Sequence, residues 1–366
     1  MTAIGLIRQG NNVAFISDTL VTSREGEDIL HLPTSGNTHR ATRGDRTSAI
    51  IGLYQKTASL RPNYCVALSG NGGAAIEICY RLHEALPQKP TLADVQVAID
   101  CLPISLLEHA DYISALNDGA GVHILKTYRV ELMTVGDIEF AVSGSGGASL
   151  EHIIRSAAPG HFGGGNGGAV GLADRAGVVL HTMQVLGGSG ISDGWGGGFE
   201  LVTATDGAFA KRGELMMHYV IVQDLPDGRL FFHLLDEHVY LRYRNQHAEF
   251  FRATAVGGPY TLNVVPPIIP PPDAYTFPDV DVALGGIRHR AYCGLWVNPD
   301  GSTHYSSFMI NGENPTLPVS EGPIGPSDLY GWGHAKYLLK LLFGSERHIF
   351  MAKVPEHIRN WPVTQV

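Results

Sequence analysis

Charge is sparse in this 366-residue chain. Asp, Glu, Lys and Arg make up 17% of it, against 44% hydrophobic residues. That balance excludes a disordered, charge-rich chain. Basic residues are the fewer, 26 against 35 acidic ones, for a net charge of −9, and no long basic run occurs. A dedicated nucleic-acid binder is thereby excluded. No apolar stretch approaches the roughly 18 residues of a membrane span, so no membrane partner is expected. The start, Met-Thr-Ala-Ile-Gly-Leu-Ile-Arg, has no basic n-region and no cleavage-site pattern, and does not read as a secretory signal. Cysteine is rare: Cys65, Cys79, Cys101 and Cys293 show no CxxC spacing. They read as buried, reduced thiols of a cytoplasmic protein. Glycine, by contrast, is abundant at 45 residues, without a Gly-X-Y period that would indicate collagen.

Thr2–Ile7 and Asn12–Ser17 read as strands joined by a turn at Gln9-Gly10-Asn11. Both are apolar almost continuously, the mark of strands buried on both faces. Residues 23–47 form a polar insertion, and strand patterns return at 49–55 and 64–68. A helix is expected over 73–86, with Ile78, Leu82 and Leu86 on one face. A second helical region covers 92–116, interrupted near Pro103. Strands follow at 122–126, 130–135 and 138–142, then a helix from Gly147 and another over 170–186. Four or five strands fit between Phe199 and Val256, with a hairpin turn at Asp227-Gly228. This gives a domain over 1–258, a proline-rich linker over 259–280 around Val265–Pro272, and a small β-rich C-terminal domain or extension over 281–366. That last segment carries a turn at Asp300-Gly301 and a short helix over His334–Phe343.

One pattern occurs twice. Ala67-Leu-Ser-Gly-Asn-Gly-Gly-Ala-Ala-Ile-Glu77 and Ala141-Val-Ser-Gly-Ser-Gly-Gly-Ala-Ser-Leu-Glu151 agree at seven of eleven positions. Each lies between an apolar strand and a helix. Two such corners suggest two sheets related by an approximate two-fold axis, hence an α+β fold arranged as a four-layer αββα sandwich.

Three chemistries compete for these motifs. Gly70-x-Gly72-x-x-Ala75 could open a dinucleotide site, but no second strand ending in an acid follows, and Asp94 falls inside the next helix. A tight corner needing φ > 0 is the better reading. His233-x-x-Asp236-x-His238 could bind a metal, yet reads better as a solvated turn, and no HExxH occurs. A serine-hydrolase elbow fails, because Gly144-Ser-Gly-Gly-Ala has alanine where the last glycine belongs.

A further reading starts at the N-terminus. Removal of Met1, expected before a small residue, leaves Thr2 first. An N-terminal threonine carries its own base, an α-amine with an unperturbed pKa of about 7.7–8.0.

The layout resembles the proteasome β-subunit and the HslV peptidase, of the N-terminal nucleophile hydrolase family. Asp18 lies sixteen residues after Thr2, Thr22 four further on, and Lys56 fourteen before the Gly70 corner. The second corner carries Gly144-Ser145-Gly146, and Asp193-Gly-Trp-Gly196-Gly-Gly198-Phe partly matches the family's Asp-x-x-Ser-Gly-Gly run, with Gly196 where the serine stands. The match spans roughly residues 2–225. It implies Thr2 as nucleophile, Lys56 held by Asp18, the Gly70 N–H as oxyanion donor, Ser145 and Asp193 orienting the amine, and Thr22 binding the substrate backbone. Arg43 and Arg46 are alternative cations, since the 23–47 insertion stretches the spacing. The resemblance implies an amide-cleaving enzyme without metal or cofactor, acting on a peptide or small amide, self-associating into rings or other homo-oligomers, with any ATPase partner left open. The alternative is a catalytically inactive proteasome-like structural or binding subunit. Of the 45 glycines, 18 fall between Gly144 and Gly198. The run over 160–168 among them is expected to form a loop near the site or at a subunit contact.

Overall fold

In a computed structural model the described residues are 2–23, 32–33, 49–157, 177, 180–181, 184, 194–205, 207–224, 230–253, 260–278, 289–297, 300, 303–311 and 363–364. Two compact units form: one from Met1–Gly213, Arg242–Glu249 and Asn263–Tyr275, the other from Glu214–Leu241, Phe250–Leu262 and Thr276–Val366. The expected break near residue 258 is thus not where contacts divide the chain. Most of the strands after Gly213 belong to the second unit, and the proline-rich stretch belongs to the first.

The first unit opens with β1 (Ile4–Gln9) and β2 (Asn12–Asp18), paired antiparallel from Ile4↔Ser17 to Gln9↔Asn12. A two-stranded sheet follows, β3 (Leu20–Ser23) with β4 (Ala49–Leu53). Next come β5 (Thr57–Arg61), β6 (Tyr64–Gly70), helix α1 (Gly72–Ala85), α2 (Leu92–Asp100) and the short α3 (Ile104–Leu107). Then follow β7 (Ala110–Asn117), β8 (Val122–Lys126), β9 (Leu132–Val135), β10 (Ile138–Ser143), α4 (Gly147–Ala157), β11 (Phe199–Thr205) and β12 (Ala208–Lys211). They form a six-stranded sheet, β12-β11-β2-β1-β10-β9, and a four-stranded sheet, β5-β6-β7-β8.

Burial explains why these strands do not alternate polar with apolar. On β6, Tyr64, Val66 and Leu68 pack with Ile78, Cys79 and Leu82 of α1 and Val95 and Ile99 of α2. The intervening Cys65 and Ala67 pack with Leu6, Val13 and Phe15 of the other sheet. The opposite faces of β1 and β2, through Ile7, Ala14 and Ile16, meet Leu150, Ile153 and Ile154 of α4. Each strand therefore has two dry sides.

The region read as one helix over 92–116 splits. The α2 helix ends at Asp100, and 110–117 is a strand. Tyr112 and Leu116 face one core cluster while Ile113 and Ala115 face another. A strand buried on both sides has the same unbroken apolar run as a buried helix. Asp94 is part of a capping box with Thr91, so it serves the α2 N-terminus. The 170–186 region is described only at Gly177, Leu180, His181 and Gln184, all helical.

The second unit holds most of one seven-stranded sheet, whose β14, β15 and β16 each have residues in both units. Its strands are β13 (Leu215–Asp224), β14 (Leu230–Arg244), β15 (His247–Ala253), β16 (Thr261–Val265), β17 (His289–Val297), β18 (Thr303–Asn311) and β19 (Val363–Thr364). The order is β16-β15-β14-β13-β17-β18, with β19 on β14, and β13 pairs parallel with β17. His233, Asp236 and His238 lie within β14 rather than in a turn. Among the described residues no group of His, Cys, Asp and Glu could hold a metal ion. The 227–228 and 334–343 readings and the 160–168 glycine run lie outside the described residues. Among the described residues no helix is long and apolar enough to cross a membrane. Cys65 and Cys79 are buried, but Cys101, just past the end of α2, is exposed.

Candidate active site

The β1–β2 hairpin places Asp18 directly across from the start of the chain. The Ala3 N–H donates to Asp18 Oδ1 at 2.8 Å and the Asp18 N–H donates to the Ala3 carbonyl at 2.9 Å. Lys56, just before β5, donates from Nζ to the same Oδ1 at 2.7 Å and to the Leu20 carbonyl at 2.6 Å. The Gly196 N–H donates to Asp18 Oδ2 at 2.7 Å. Both side chains are buried, Asp18 fully. Burial pushes the Lys56 ammonium below its ordinary value of 10.5, partly offset by Asp18 and Glu200. Burial likewise raises the Asp18 carboxyl, against the pull of Lys56 and the two backbone N–H groups. The result is a lysine that gives up its proton more easily than a solvated one, anchored on a carboxylate with three donors. Arg43 and Arg46 lie outside the described residues.

The Gly144-Ser145-Gly146 corner holds Thr2 from the other side. The Thr2 N–H donates to Ser145 Oγ at 3.0 Å, and the Gly146 N–H donates to the Thr2 carbonyl at 3.0 Å. A Cβ on Gly144 would come within 2.0 Å of the Thr2 carbonyl oxygen, and its φ is +88°. Only glycine fits there. Asp193 lies outside the described residues. Gly196, where the family pattern has serine, has no room for a side chain: an added Cβ would meet the Gln184 amide at 1.7 Å. Gln184 itself donates to the Trp195 carbonyl at 2.9 Å and accepts from the Gly197 N–H at 3.2 Å. The amide thus shapes the turn that delivers the Gly196 N–H to Asp18.

A cavity of about 180 Å³ gathers Thr2, Thr22, Lys56 and Gly70 on its lining. Its remaining wall is mostly apolar, including Leu20, Tyr54, Leu68, Ile76 and Ile268. Thr2 itself is 4% exposed. Asp18 sits behind Lys56, and Ser145 reaches the cavity only through the Thr2 backbone. The structure thus brings together six of the seven residues expected from the sequence; Asp193 is the seventh.

One partner was not expected from the sequence. Glu200, fully buried on β11, accepts from the Lys56 N–H at 2.9 Å and from Ser17 Oγ at 3.2 Å, and it pairs with Lys211. Glu200 thereby fixes the lysine's backbone from beneath. A lone acid inside an otherwise apolar strand pattern, Phe199-Glu-Leu-Val, was the available signal, since buried acids require partners.

No family model matches this sequence, and no curated protein is similar to it. Among solved structures, the chain is similar to a crystal structure of eukaryotic HslV from Trypanosoma brucei, at 15% identity. The match covers 55% of this chain and 98% of that one, with a TM-score of 0.33. At that level the similarity carries no argument for the chemistry, which rests on the geometry above.

Proposed function

We propose that the chain is an N-terminal threonine hydrolase that cleaves amide bonds, built on a four-layer αββα sandwich of the proteasome-like kind. Three successive core clusters, α4 against the six-stranded sheet, sheet against sheet, and the four-stranded sheet against α1 and α2, support the fold reading. The activity reading is carried by one observation: Thr2, Lys56 and Gly70 line a single cavity, with Lys56 held from behind by Asp18.

Removal of whatever precedes Thr2 frees its α-amine. Thr2 Oγ then attacks the substrate carbonyl carbon, and the Oγ proton passes to the α-amine, directly or through one water. The Lys56 charge favours the alkoxide-like form of Oγ. The Gly70 N–H receives the developing oxyanion, an interaction worth about 3–4 kcal/mol when such a donor is lost. Collapse breaks the C–N bond as the amine returns its proton to the leaving nitrogen. Water then hydrolyses the Thr2 ester, releasing the acid and restoring the hydroxyl.

Intact mass of the active protein should show Thr2 as the first residue. A peptide epoxyketone, which reacts with both the hydroxyl and the free amine, should add once, and Thr2→Ala should abolish the addition. The labelling rate should climb with pH as the amine loses its proton. An active preparation that retains residues before Thr2 overturns the mechanism.

A further inference from the structure

The proline-rich stretch 263–275 is a strap of the first unit, fixed at both ends. The Gln55 N–H donates to the Pro266 carbonyl at 3.0 Å, and the Gln55 amide donates to the carbonyls of Val265 at 2.8 Å and Gln246 at 2.7 Å. At the far end Asn245 Nδ2 donates to the Asp273 carbonyl at 3.1 Å, and the Tyr275 hydroxyl to buried Glu249 at 2.6 Å. Five prolines between these anchors have fixed φ and no N–H to pair with a strand. Between them, Ile268 is 4% exposed and packs in the cluster of Leu68 and α1. Its side chain also lines the cavity of Thr2 and Lys56.

The cavity lining combines polar members, Thr2 and Lys56 among them, with apolar ones, including Tyr54, Leu68, Ile76 and Ile268. A space of about 180 Å³ is on the scale of the roughly 150 Å³ that houses benzene, so it has room for one branched aliphatic or phenyl group. Among the described residues, every wall residue but Ile268 comes from the segment that carries Thr2, Lys56 and the Gly70 corner. Gln55, the residue that holds the strap, immediately precedes Lys56.

We propose that Ile268 is a specificity-determining residue: the strap supplies part of the apolar wall and limits the side chain beside the scissile carbonyl to leucine or phenylalanine size, disfavouring bicyclic ones. The proposal rests on the threonine hydrolase reading for its substrate, and the experiment separates the two. The full chain is treated with two peptide epoxyketones that carry leucine or naphthylalanine next to the ketone. Labelling rates are read by intact mass, in the parent protein and in Ile268→Val and Ile268→Ala.

The parent should favour leucine by about 10-fold or more, because a pocket contact of one or two methylenes discriminates by about 10–200-fold. Ile268→Ala should erase most of that ratio and Ile268→Val part of it. Thermal melts establish that both variants fold, and Ile268→Val is the conservative control. An unchanged ratio in both variants overturns the proposal while leaving the nucleophile intact. If the parent is not labelled at all, the hydrolase reading fails, and binding decides on Ile268. Saturation-transfer NMR then compares N-acetyl-leucinamide with N-acetyl-naphthylalaninamide on the Thr2→Ala chain, with and without Ile268→Ala. A leucine preference that depends on Ile268 supports the wall; no preference, or one indifferent to Ile268, overturns it.

Discussion

The two glycine corners share a sequence and differ in what they do with it. At the first, Asn71 follows Gly70 and caps α1, its Oδ1 accepting from the Ala74 N–H at 3.1 Å. At the second, Ser145 stands at the matching position and accepts instead from the Thr2 N–H. The corners also face different obstacles. A Cβ on Gly70 would lie 2.5 Å from the His109 carbonyl, whereas one on Gly144 would strike Thr2 itself. The same local solution thus supports a helix in one copy and the chain start in the other. A side chain that local rules would spend on capping is, at Ser145, available to the chemistry.

The sharpest break in this comparison is alanine at each corner glycine. Both backbones have positive φ, and each substitution should cost about 2–4 kcal/mol in a chemical denaturation curve. Gly144→Ala should in addition displace Thr2 and reduce epoxyketone labelling by about 10²-fold or more, the loss that a misplacement of about 1 Å produces. Equal labelling losses at the two glycines would remove the distinction.

The next effect is smaller and runs in opposite directions. Asn71→Ala should lower stability by about 1 kcal/mol, the usual value of an N-cap, with labelling preserved. Ser145→Ala should leave the melting temperature within a few degrees but slow labelling by about 10–100-fold, the range of a group that positions rather than reacts. If Ser145→Ala costs stability as Asn71→Ala does, Ser145 is a cap after all.

How legible this was differs from contact to contact. The β1–β2 hairpin, the corners and the α1 face could be read because neighbours in sequence are neighbours in space. The spacing that placed Asp18 and Lys56 came from a resemblance, with Arg43 and Arg46 as alternative cations, and the structure puts the Lys56 Nζ on Asp18. Glu200 beneath Lys56 and Ile268 in the cavity wall lie some 144 and 212 positions away from that lysine. No local pattern encodes such a contact. The strand over 110–117 was hidden for another reason: with both faces dry, it has no periodicity to display.

The smallest expected effect concerns the tie between the corners. Ser69 and Ser143 occupy the same position in the two copies, and their hydroxyls meet at 2.9 Å. Ser143 Oγ also donates to Asp111 Oδ2 at 3.1 Å, and Asp111 is held by Thr127 and Arg129. Alanine at either serine should cost about 1 kcal/mol. A double-mutant cycle should return a coupling of about 0.5 kcal/mol or more. Additive losses would mean the two corners stand independently.

Trp195 adds an optical consequence. Its indole is 2% exposed, packs edge-on to Phe199, and lies where a Cβ on Gly146 would touch it at 2.7 Å. It is covalently joined to Gly196, the donor to Asp18. The ring is therefore wedged between the turn that grips the chain start and the turn that grips the aspartate. With Trp296, Trp332 and Trp361 replaced by phenylalanine, its emission wavelength becomes a gauge of that grip: a red shift on loosening either turn would register, without any substrate, that the two halves of the site have come apart.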